Sequence, residues 1–477
     1  MNPGRRGEPR GTAAPSVEGP RPRHALRAAV WRWHFYAGVF VAPFLILLPL
    51  TGLVMLAREP LERWQLGDAM RNASGHGRAS HEARLLSARS ATPGGKAVRY
   101  QPGRTPEDAT RVTMEVGSEP RSVFVDARTA EVRGAVAHAR LVPEIANRIH
   151  ATLLLGDLGD RLIEIAASLG MLLLVSGAYL WLPRGDGLWR SLRIGRETRR
   201  GAWRDLHKAT GAVFLPALAF YLLSGLAWTG VWGGRFVQAW STLGAARAAP
   251  AGSAPHTHDS SGPTQGALNA GTIPVVPWNQ ERALLPASTP GEHAPARPIR
   301  LDDAIAAARR EGIGDRFWVG LPDGDSGVYT VAQTAMNGDV TDPTKELVVH
   351  VDQYSGAVLR RAGWNDYDLV ARAMAAGIPL HQGLLGGWNV AGAAAVCLAT
   401  LTLAVSGLVA WWLRRPARSL RLAAPPRPEL ARIPAATWAT AAVLSVLFPL
   451  AGATLVAVAL LDWAVVRRVS ALRRTLS

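Results

Sequence analysis

The stretch WRWHFYAGVFVAPFLILLPLTGLVML, residues 31–56, predicts a membrane-spanning helix with a histidine close to its start. About 20 consecutive apolar residues are enough to cross the hydrocarbon core of a bilayer, and this run exceeds that length. An ionisable side chain at the edge of a span costs free energy unless a partner compensates. His34 is therefore a candidate functional residue.

Further apolar runs make the chain a polytopic membrane protein. It has 477 residues, of which 48% are hydrophobic, and a formal net charge of +17. Runs long enough to cross a bilayer occur at 35–57, 161–182, 209–232 and 388–413. A fifth run, 434–466, is interrupted by Pro449. We favour one span at about 440–463 there over a hairpin with two short arms.

The basic residues are concentrated in short segments, which predicts the topology. Residues 1–33, 184–206 and 414–433 are strongly basic, and short basic loops stay in the cytoplasm, whereas long loops cross regardless of charge. The N-terminus is therefore predicted to be cytoplasmic, with 58–146 and 233–385 outside. Because the charge reports topology, it gives little reason to expect nucleic-acid binding.

An internal repeat relates the two halves of the chain. The first and third spans share an H-x3-G motif, a proline and a (T/S)-G-L motif, and all the matched residues are 173 positions apart. The second and fourth spans match from a histidine to a V-S-G motif with one gap. The matched histidines are His34 with His207 and His150 with His381.

The extracytoplasmic segments repeat more weakly. Residues 121–134 and 347–360 each show two alternating runs around a polar turn, which predicts a β-hairpin. Residues 300–312 have helical spacing, with Asp302 or Asp303 as the expected N-cap. The predicted fold is a polytopic α-helical membrane protein with two parallel repeats of span, external α+β domain and span, plus a C-terminal hydrophobic helix or hairpin.

The same patterns divide the chain into segments. The predicted boundaries are a cytoplasmic N-terminus 1–33, span one 34–57, external domain one 58–146, a histidine segment with span two 147–183, a basic loop 184–206, span three 207–232, a Pro/Ala/Ser-rich linker 233–297, external domain two 298–376, a histidine segment with span four 377–413, a basic loop 414–433, a C-terminal apolar segment 434–466 and a basic tail 467–477.

The repeat predicts two histidine pairs, one near each membrane face. In parallel repeats related by an axis along the membrane normal, matched residues lie at equal depth and face each other. Two facing imidazoles can be the axial ligands of a haem iron. Zinc is less favoured because its sites take three or four protein ligands, and a proton relay is the remaining alternative. Arg32 and Arg204 are weaker candidates for contacts with haem propionates.

With these motifs the chain resembles the PepSY-associated transmembrane family, which includes iron-regulated inner-membrane proteins and ferric-siderophore reductases. The resemblance covers roughly residues 25–465. It implies an inner-membrane reductase with two b-type haems, which passes electrons to a ferric siderophore in the periplasm. By matching positions, the haem iron ligands would be His34, His207, His150 and His381.

Other functions remain open at this point. A non-enzymatic membrane protein that binds or restrains periplasmic peptidases is one alternative, and a transporter is another. The chain has no G-x-G-x-x-G nucleotide fingerprint between a strand and a helix. The electron donor of a reductase would therefore be quinol, a reduced flavin or a separate reductase protein.

Overall fold

The computed structural model describes residues 22–117, 119–182, 192–195, 198–237, 285–289, 297–415, 422–425, 433–466 and 468–469. Most of the predicted linker 233–297 and of the basic segments 1–33, 414–433 and 467–477 lies outside the described residues, as do residues 184–191 and 196–197 of the basic loop 184–206. In the described part of the chain the α-helices are α1 Pro22–Leu56, α2 Arg58–Leu66, α3 His81–Ser90, α4 Val142–Thr152, α5 Asp157–Trp181, α6 Arg199–Leu226, α7 Leu301–Arg310, α8 Leu369–Gln382, α9 Gly387–Trp412, α10 Ala435–Leu447 and α11 Pro449–Leu461.

Four of these helices are long and apolar enough to cross a membrane, among the residues described. They are α1, α5, α6 and α9, and they match the four predicted spans. Helix α1 packs against α5 and α9, and α6 packs against the same two helices. The four helices therefore form a ring in which α1 and α6 face each other diagonally.

The C-terminal apolar run is divided at Phe448 into two short helices, α10 and α11, so no continuous helix covers the stretch 440–463 in which one span was expected. Pro449 begins α11, because proline cannot donate to the preceding turn and its ring clashes with it. A Cβ on Gly452 would lie 2.7 Å from the carbonyl oxygen of Ser445, so the two short helices approach closely at the bend. Each has 13 residues, about 20 Å, which is less than the roughly 30 Å apolar core of a bilayer.

Trp232, just beyond α6, holds this bend against the helix ring. Its ring stacks on Phe448 with centroids 6.4 Å apart and an interplanar angle of 15°. Its Nε1 donates a hydrogen bond to the carbonyl oxygen of Leu447 at 3.1 Å. Phe448 is buried in an apolar cluster with Val41 of α1 and Ala167 of α5. The C-terminal helices are therefore packed onto the side of the ring formed by α1 and α5.

The segment between the first and second spans and the segment between the third and fourth spans share one antiparallel sheet. Its order among the described residues is β4-β3-β2-β1-β5-β6-β7-β8, so the first four strands meet the last four where β1 pairs with β5. The strands are β1 Lys96–Gln101, β2 Thr110–Val116, β3 Glu119–Val125, β4 Val132–Ala137, β5 Trp318–Gly320, β6 Val328–Gln333, β7 Leu347–Asp352 and β8 Val358–Gly363.

The two predicted hairpins are present as β3–β4 and β7–β8. Asp126 and Asp352 begin their turns in the same way, each accepting hydrogen bonds from two backbone N–H groups of the turn. Ala130 has φ 61° where Gly356 has φ 70°. The two turns therefore share a left-handed residue, although alanine pays a steric cost in that conformation.

The two faces of the sheet have different environments because side chains alternate along each strand. One face packs under α3 and α7 around buried residues that include Tyr100, Val112 and Phe317. Arg99 and Arg111 come from neighbouring strands and line the large cavity described below. The sheet therefore presents charged side chains towards the helix ring.

Helices α3 and α7 cap each other where the two halves of the sheet meet. The carboxylate of Asp302 accepts hydrogen bonds from the backbone N–H groups of His81 and Glu82 at 3.0 and 2.9 Å. The carboxylate of Glu82 accepts one from Leu301 N at 2.7 Å. The expected N-cap role of Asp302 or Asp303 in their own helix is wrong, because the N-cap is Arg300. Asp302 instead satisfies donors of the neighbouring helix.

We predict that Asp302→Ala lowers the free energy of unfolding of the region around the sheet by about 1–2 kcal/mol, because it leaves N-terminal N–H groups of α3 without their acceptor. Asp303→Ala is the matched control, since this neighbouring aspartate is exposed and carries the same charge. Thermal unfolding of the full chain in detergent should show a lower midpoint for Asp302→Ala only. Equal midpoints for the two variants would contradict the capping role.

Candidate functional site

A continuous cavity of about 2040 Å³ runs through the helix ring and reaches the sheet. It is larger than the roughly 300–1,000 Å³ of ordinary small-molecule sites. All four predicted site histidines line it: His34, His207, His150 and His381. Between them the wall is largely aliphatic, with Leu45, Leu215 and Leu222 among its residues. The four predicted site residues therefore line the same cavity.

The first pair lies where α1 and α6 face each other. The ring centroids of His34 and His207 are 6.3 Å apart, and the ring planes are nearly perpendicular at 88°. Each histidine belongs to one of the two diagonal helices, so the ring of four helices brings them together. Two metal–nitrogen bonds of about 2 Å on opposite sides of one ion, together with the ring radii, give a centroid separation of about 6 Å. The spacing therefore fits one metal ion held between two imidazoles.

The hydrogen bonds of this pair use Nδ1. Nδ1 of His34 lies 2.9 Å from Oγ of Ser176 on α5. Nδ1 of His207 lies 2.9 Å from the carbonyl oxygen of Leu403 and 3.3 Å from Oγ of Ser406 on α9. Because a carbonyl only accepts, Nδ1 of His207 must carry a hydrogen. Its Nε2 then has the free lone pair that a metal ion binds.

The second pair is held in the same way. Nδ1 of His150 on α4 lies 3.0 Å from the carbonyl oxygen of Leu48 and 2.9 Å from Oγ1 of Thr51 on α1. Nδ1 of His381 on α8 lies 2.7 Å from Oγ of Ser224 on α6. Ser224 donates its own hydroxyl hydrogen to the carbonyl of Phe220 at 2.6 Å, so its oxygen accepts from the histidine. Nε2 is again the nitrogen left for a ligand.

These four hydroxyl groups were not predicted as site residues from the sequence. They belong to the T-G-L, S-G-L and V-S-G motifs of the four spans. The sequence does contain one signal for them, because the number of these hydroxyl-glycine motifs in the spans equals the number of histidines, four of each. Their partners lie on different helices, however, and a sequence pattern does not show which helices touch. The four are Thr51, Ser176, Ser224 and Ser406.

The glycine after each hydroxyl residue lies beside the same imidazole. A Cβ on Gly177 would lie 3.3 Å from Cε1 of His34, and one on Gly407 would lie 3.2 Å from Cε1 of His207. The corresponding distances at Gly52 and Gly225, beside the second pair, are 3.8 Å. The helix backbone at Gly177 and Gly407 therefore lies so close to the imidazoles of the first pair that a larger residue would crowd them. At the second pair a Cβ would be at an ordinary contact distance from the imidazole.

The two pairs lie near opposite ends of the span. Thr51, which contacts His150, is 17 residues after His34 on α1, and Ser224, which contacts His381, is 17 residues after His207 on α6. At 1.5 Å per residue this is about 26 Å, close to the roughly 30 Å thickness of the apolar core. One cavity therefore connects a pair near each membrane face.

The side chains that could bind a metal decide whether the site suits a zinc ion or a haem. No group of three or more His, Cys, Asp or Glu side chains occurs among the described residues in a metal-binding arrangement. A zinc site with three or four protein ligands is therefore not formed by those residues. The 6.3 Å spacing of the His34 and His207 rings, the aliphatic walls and the cavity-lining glycines fit a haem, whose other four iron ligands are its own nitrogens.

The end of the cavity next to the sheet is lined by paired charges. Arg111 contacts Glu62 at 2.5 Å, and Arg58 lies 3.5 Å from Glu144. Arg99 donates to Oδ1 of Asn337 at 2.7 Å, and its guanidinium lies 4.4 Å from the centre of the Trp318 ring. Burial lowers the pKa of Arg99 to about 10, so it remains a cation at neutral pH.

Of the two arginines considered for propionate contacts, only Arg204 lines the cavity. Arg204 is bound to Asp205 at 3.1 Å and is largely exposed. Arg32 donates to the hydroxyl of Tyr36 at 2.8 Å and to the carbonyl oxygen of Pro425. Arg32 is therefore directed away from the cavity, and its predicted contact with a propionate has no support in this arrangement.

The sequence profile of the PepSY-associated TM region family matches residues 31–414, which is most of the chain. The chain belongs to this family. The resemblance inferred from the histidine motifs is thereby confirmed, and the chain is a membrane protein. Among curated proteins, none matches the chain. The matched region of this PepSY-associated membrane protein includes all four histidines and both halves of the sheet.

The fit of a haem to this site has a test: we predict that Gly177→Ala and Gly407→Ala each weaken the binding of haem supplied to the first pair by about tenfold or more, because the added methyl group forces the imidazole to shift. Gly52→Ala and Gly225→Ala are the matched controls at the second pair and should have little effect. The haem absorbance per protein in purified variants measures this. Equal losses at all four glycines would argue against a role in positioning the imidazoles.

Proposed function

We propose that the protein is an inner-membrane haem-containing reductase that delivers electrons across the membrane to a periplasmic ferric siderophore. The observation that carries the proposal is the arrangement of four histidines in two pairs along one transmembrane cavity. Each histidine is anchored through Nδ1 and has Nε2 available. Peptidase binding or transport would give no reason for this arrangement.

His34 and His207 would hold one haem, and His150 and His381 would hold the second. When bound, haem b would supply one-electron transfer without a proton or hydride. The chain's own contribution is to fix each imidazole in one tautomer and one orientation. A hydrogen bond donated from Nδ1 to a hydroxyl or carbonyl also makes Nε2 a stronger donor to a metal.

The aliphatic wall between the pairs has a separate role. Residues such as Leu45, Leu215 and Leu222 line the middle of the cavity and would keep water away from bound haems. A low-dielectric environment disfavours uncompensated charge, so burial there influences the reduction potential of any bound group. The charged side chains are found instead at the two ends of the cavity.

The external end would receive the iron substrate. Arg99, Arg104 and Arg111 of the first half of the chain line it, beside Asn337 of the second half. Siderophores bind ferric iron through hard, mostly anionic oxygen atoms, which the guanidinium groups at this end can attract although carboxylates also line it. Reduction to the ferrous ion weakens those bonds because the charge on the iron falls. Release of iron would follow from that change.

The proposed direction requires a cytoplasmic N-terminus. We predict that reporter fusions after Leu56 and after Trp232 are periplasmic and that fusions within 185–202 are cytoplasmic. The reason is the concentration of Lys and Arg in the short segments. A cytoplasmic signal from a fusion at residue 100 would place the sheet inside the cell and would overturn the orientation.

Replacing one ligand should remove one haem. We predict that His34→Ala or His207→Ala removes the cytoplasmic haem and leaves most of the other, because the two pairs are about 26 Å apart along the helices. His150→Ala or His381→Ala should do the reverse. Reduced-minus-oxidised spectra and haem content per protein measure the loss. Full haem content in all four variants would refute the ligand assignment.

Reductase activity has a direct test. Purified protein is reduced chemically, freed of excess reductant and mixed with a ferric siderophore, and its haem should be reoxidised as ferrous iron appears. The gallium complex of the same siderophore is the control, since gallium(III) resembles iron(III) in charge and size but is not reduced under these conditions. Haem that stays reduced with every ferric chelate offered would remove the reductase function and leave a haem protein with another acceptor.

A further inference from the structure

The cytoplasmic end of the cavity is lined by five cationic side chains. They are Arg27, Arg200, Arg204, Lys208 and Arg414. No acidic side chain lines this end among the described residues, although Asp205 lies next to it and binds Arg204 and Lys208 at 3.1 and 3.2 Å. The remaining three arginines form no ion pair with any carboxylate in the part of the chain that the structure describes.

Two of these three arginines are matched by the internal repeat. Arg27 and Arg200 are 173 positions apart, as His34 and His207 are. Each precedes its histidine by seven residues, which is two helical turns, so both lie on the cavity face of their helices. The distance along the axis is about 10 Å. A pair of guanidinium groups therefore lies on the cytoplasmic side of the first histidine pair.

The third arginine is held in place by neutral partners. The guanidinium of Arg414 lies 5.3 Å from the ring centre of Trp31 and 5.0 Å from that of Phe35, and it donates to the carbonyl oxygen of Ala423. Burial lowers the pKa of Arg414, and the nearby charge of Arg200 lowers it further. Arg27 likewise donates to a neutral acceptor, the carbonyl oxygen of Leu180, at 3.2 Å.

Guanidinium groups gathered without carboxylates repel each other, and a bound anion removes that cost. We propose that Arg27, Arg200 and Arg414 form a carboxylate-binding site for the two propionates of the cytoplasmic haem. This inference rests on the proposed function, and it differs from the sequence-based choice of Arg32 and Arg204. A haem carries two carboxylates on one edge, and arginine binds a carboxylate through paired hydrogen bonds. The matched arginines supply one guanidinium on each side.

The three guanidinium groups could also bind a different anion. A reduced flavin mononucleotide that acts as electron donor carries a phosphate, which arginine binds as well. Such a donor is also planar, and the aromatic rings of Trp31 and Phe35 lie at this end of the cavity. The experiment must therefore distinguish a carboxylate that belongs to the haem from a phosphate that belongs to a soluble donor.

The test compares haem b with its dimethyl ester, which lacks both carboxylates. In a His381→Ala background, which leaves only the cytoplasmic pair, the two compounds are titrated into haem-depleted protein and followed by absorbance. We expect a preference for haem b of about tenfold or more, and its loss in Arg27→Gln/Arg200→Gln. Arg204→Gln is the matched control because it makes the same charge change at an arginine already bound to Asp205, and it should keep the preference.

Each outcome has one meaning. A double variant that binds haem b but keeps the full preference overturns the propionate site and leaves the proposed function intact. If none of the proteins, including the His381→Ala background, binds haem, the haem assignment itself fails. The binding of flavin mononucleotide is then compared with that of riboflavin. Tighter binding of flavin mononucleotide than of riboflavin, lost in the double variant, would assign the arginines to a soluble donor and contradict the propionate role. Equal binding of the two flavins would remove the anion site altogether.

Discussion

A hydrogen bond from an imidazole Nδ1 to an oxygen on a neighbouring helix is repeated four times in this protein, and the cavity depends on it. Each bond fixes a tautomer, a ring orientation and the contact between two helices. His34 joins α1 to α5, His207 joins α6 to α9, and the second pair joins α4 to α1 and α8 to α6. The hydroxyl residues satisfy polar groups that would otherwise be costly to bury in an apolar bundle.

The eight-stranded sheet adds a second constraint on the same geometry. Strands β1 and β5 pair across its centre, while Glu82 and Asp302 exchange caps between α3 and α7. The two halves of the chain are therefore joined outside the membrane as well as within the helix ring. Any sliding of one half against the other would break backbone pairing and capping contacts together. The separation between facing histidines is thus set by more than the packing of the helices.

The positions of the spans and the histidines were predictable because they follow from hydrophobic length and from a repeat with a constant offset. The hydroxyl partners were not, since a contact such as that between Ser176 and His34 depends on which helices touch. β5 is only three residues long, so its pairing with β1 has little signal in the sequence. Asp302 caps a helix distant in the chain, and the bend at Phe448 depends on packing against Trp232.

The central claim is that the facing imidazoles are the axial ligands of haem iron. Low-temperature electron paramagnetic resonance of the oxidised wild-type protein tests it directly. Two nitrogen ligands give low-spin ferric haem, and the 88° angle between the rings of His34 and His207 predicts a strongly anisotropic low-spin signal for that pair. A high-spin ferric signal, or purified protein without any haem signal, would contradict the account.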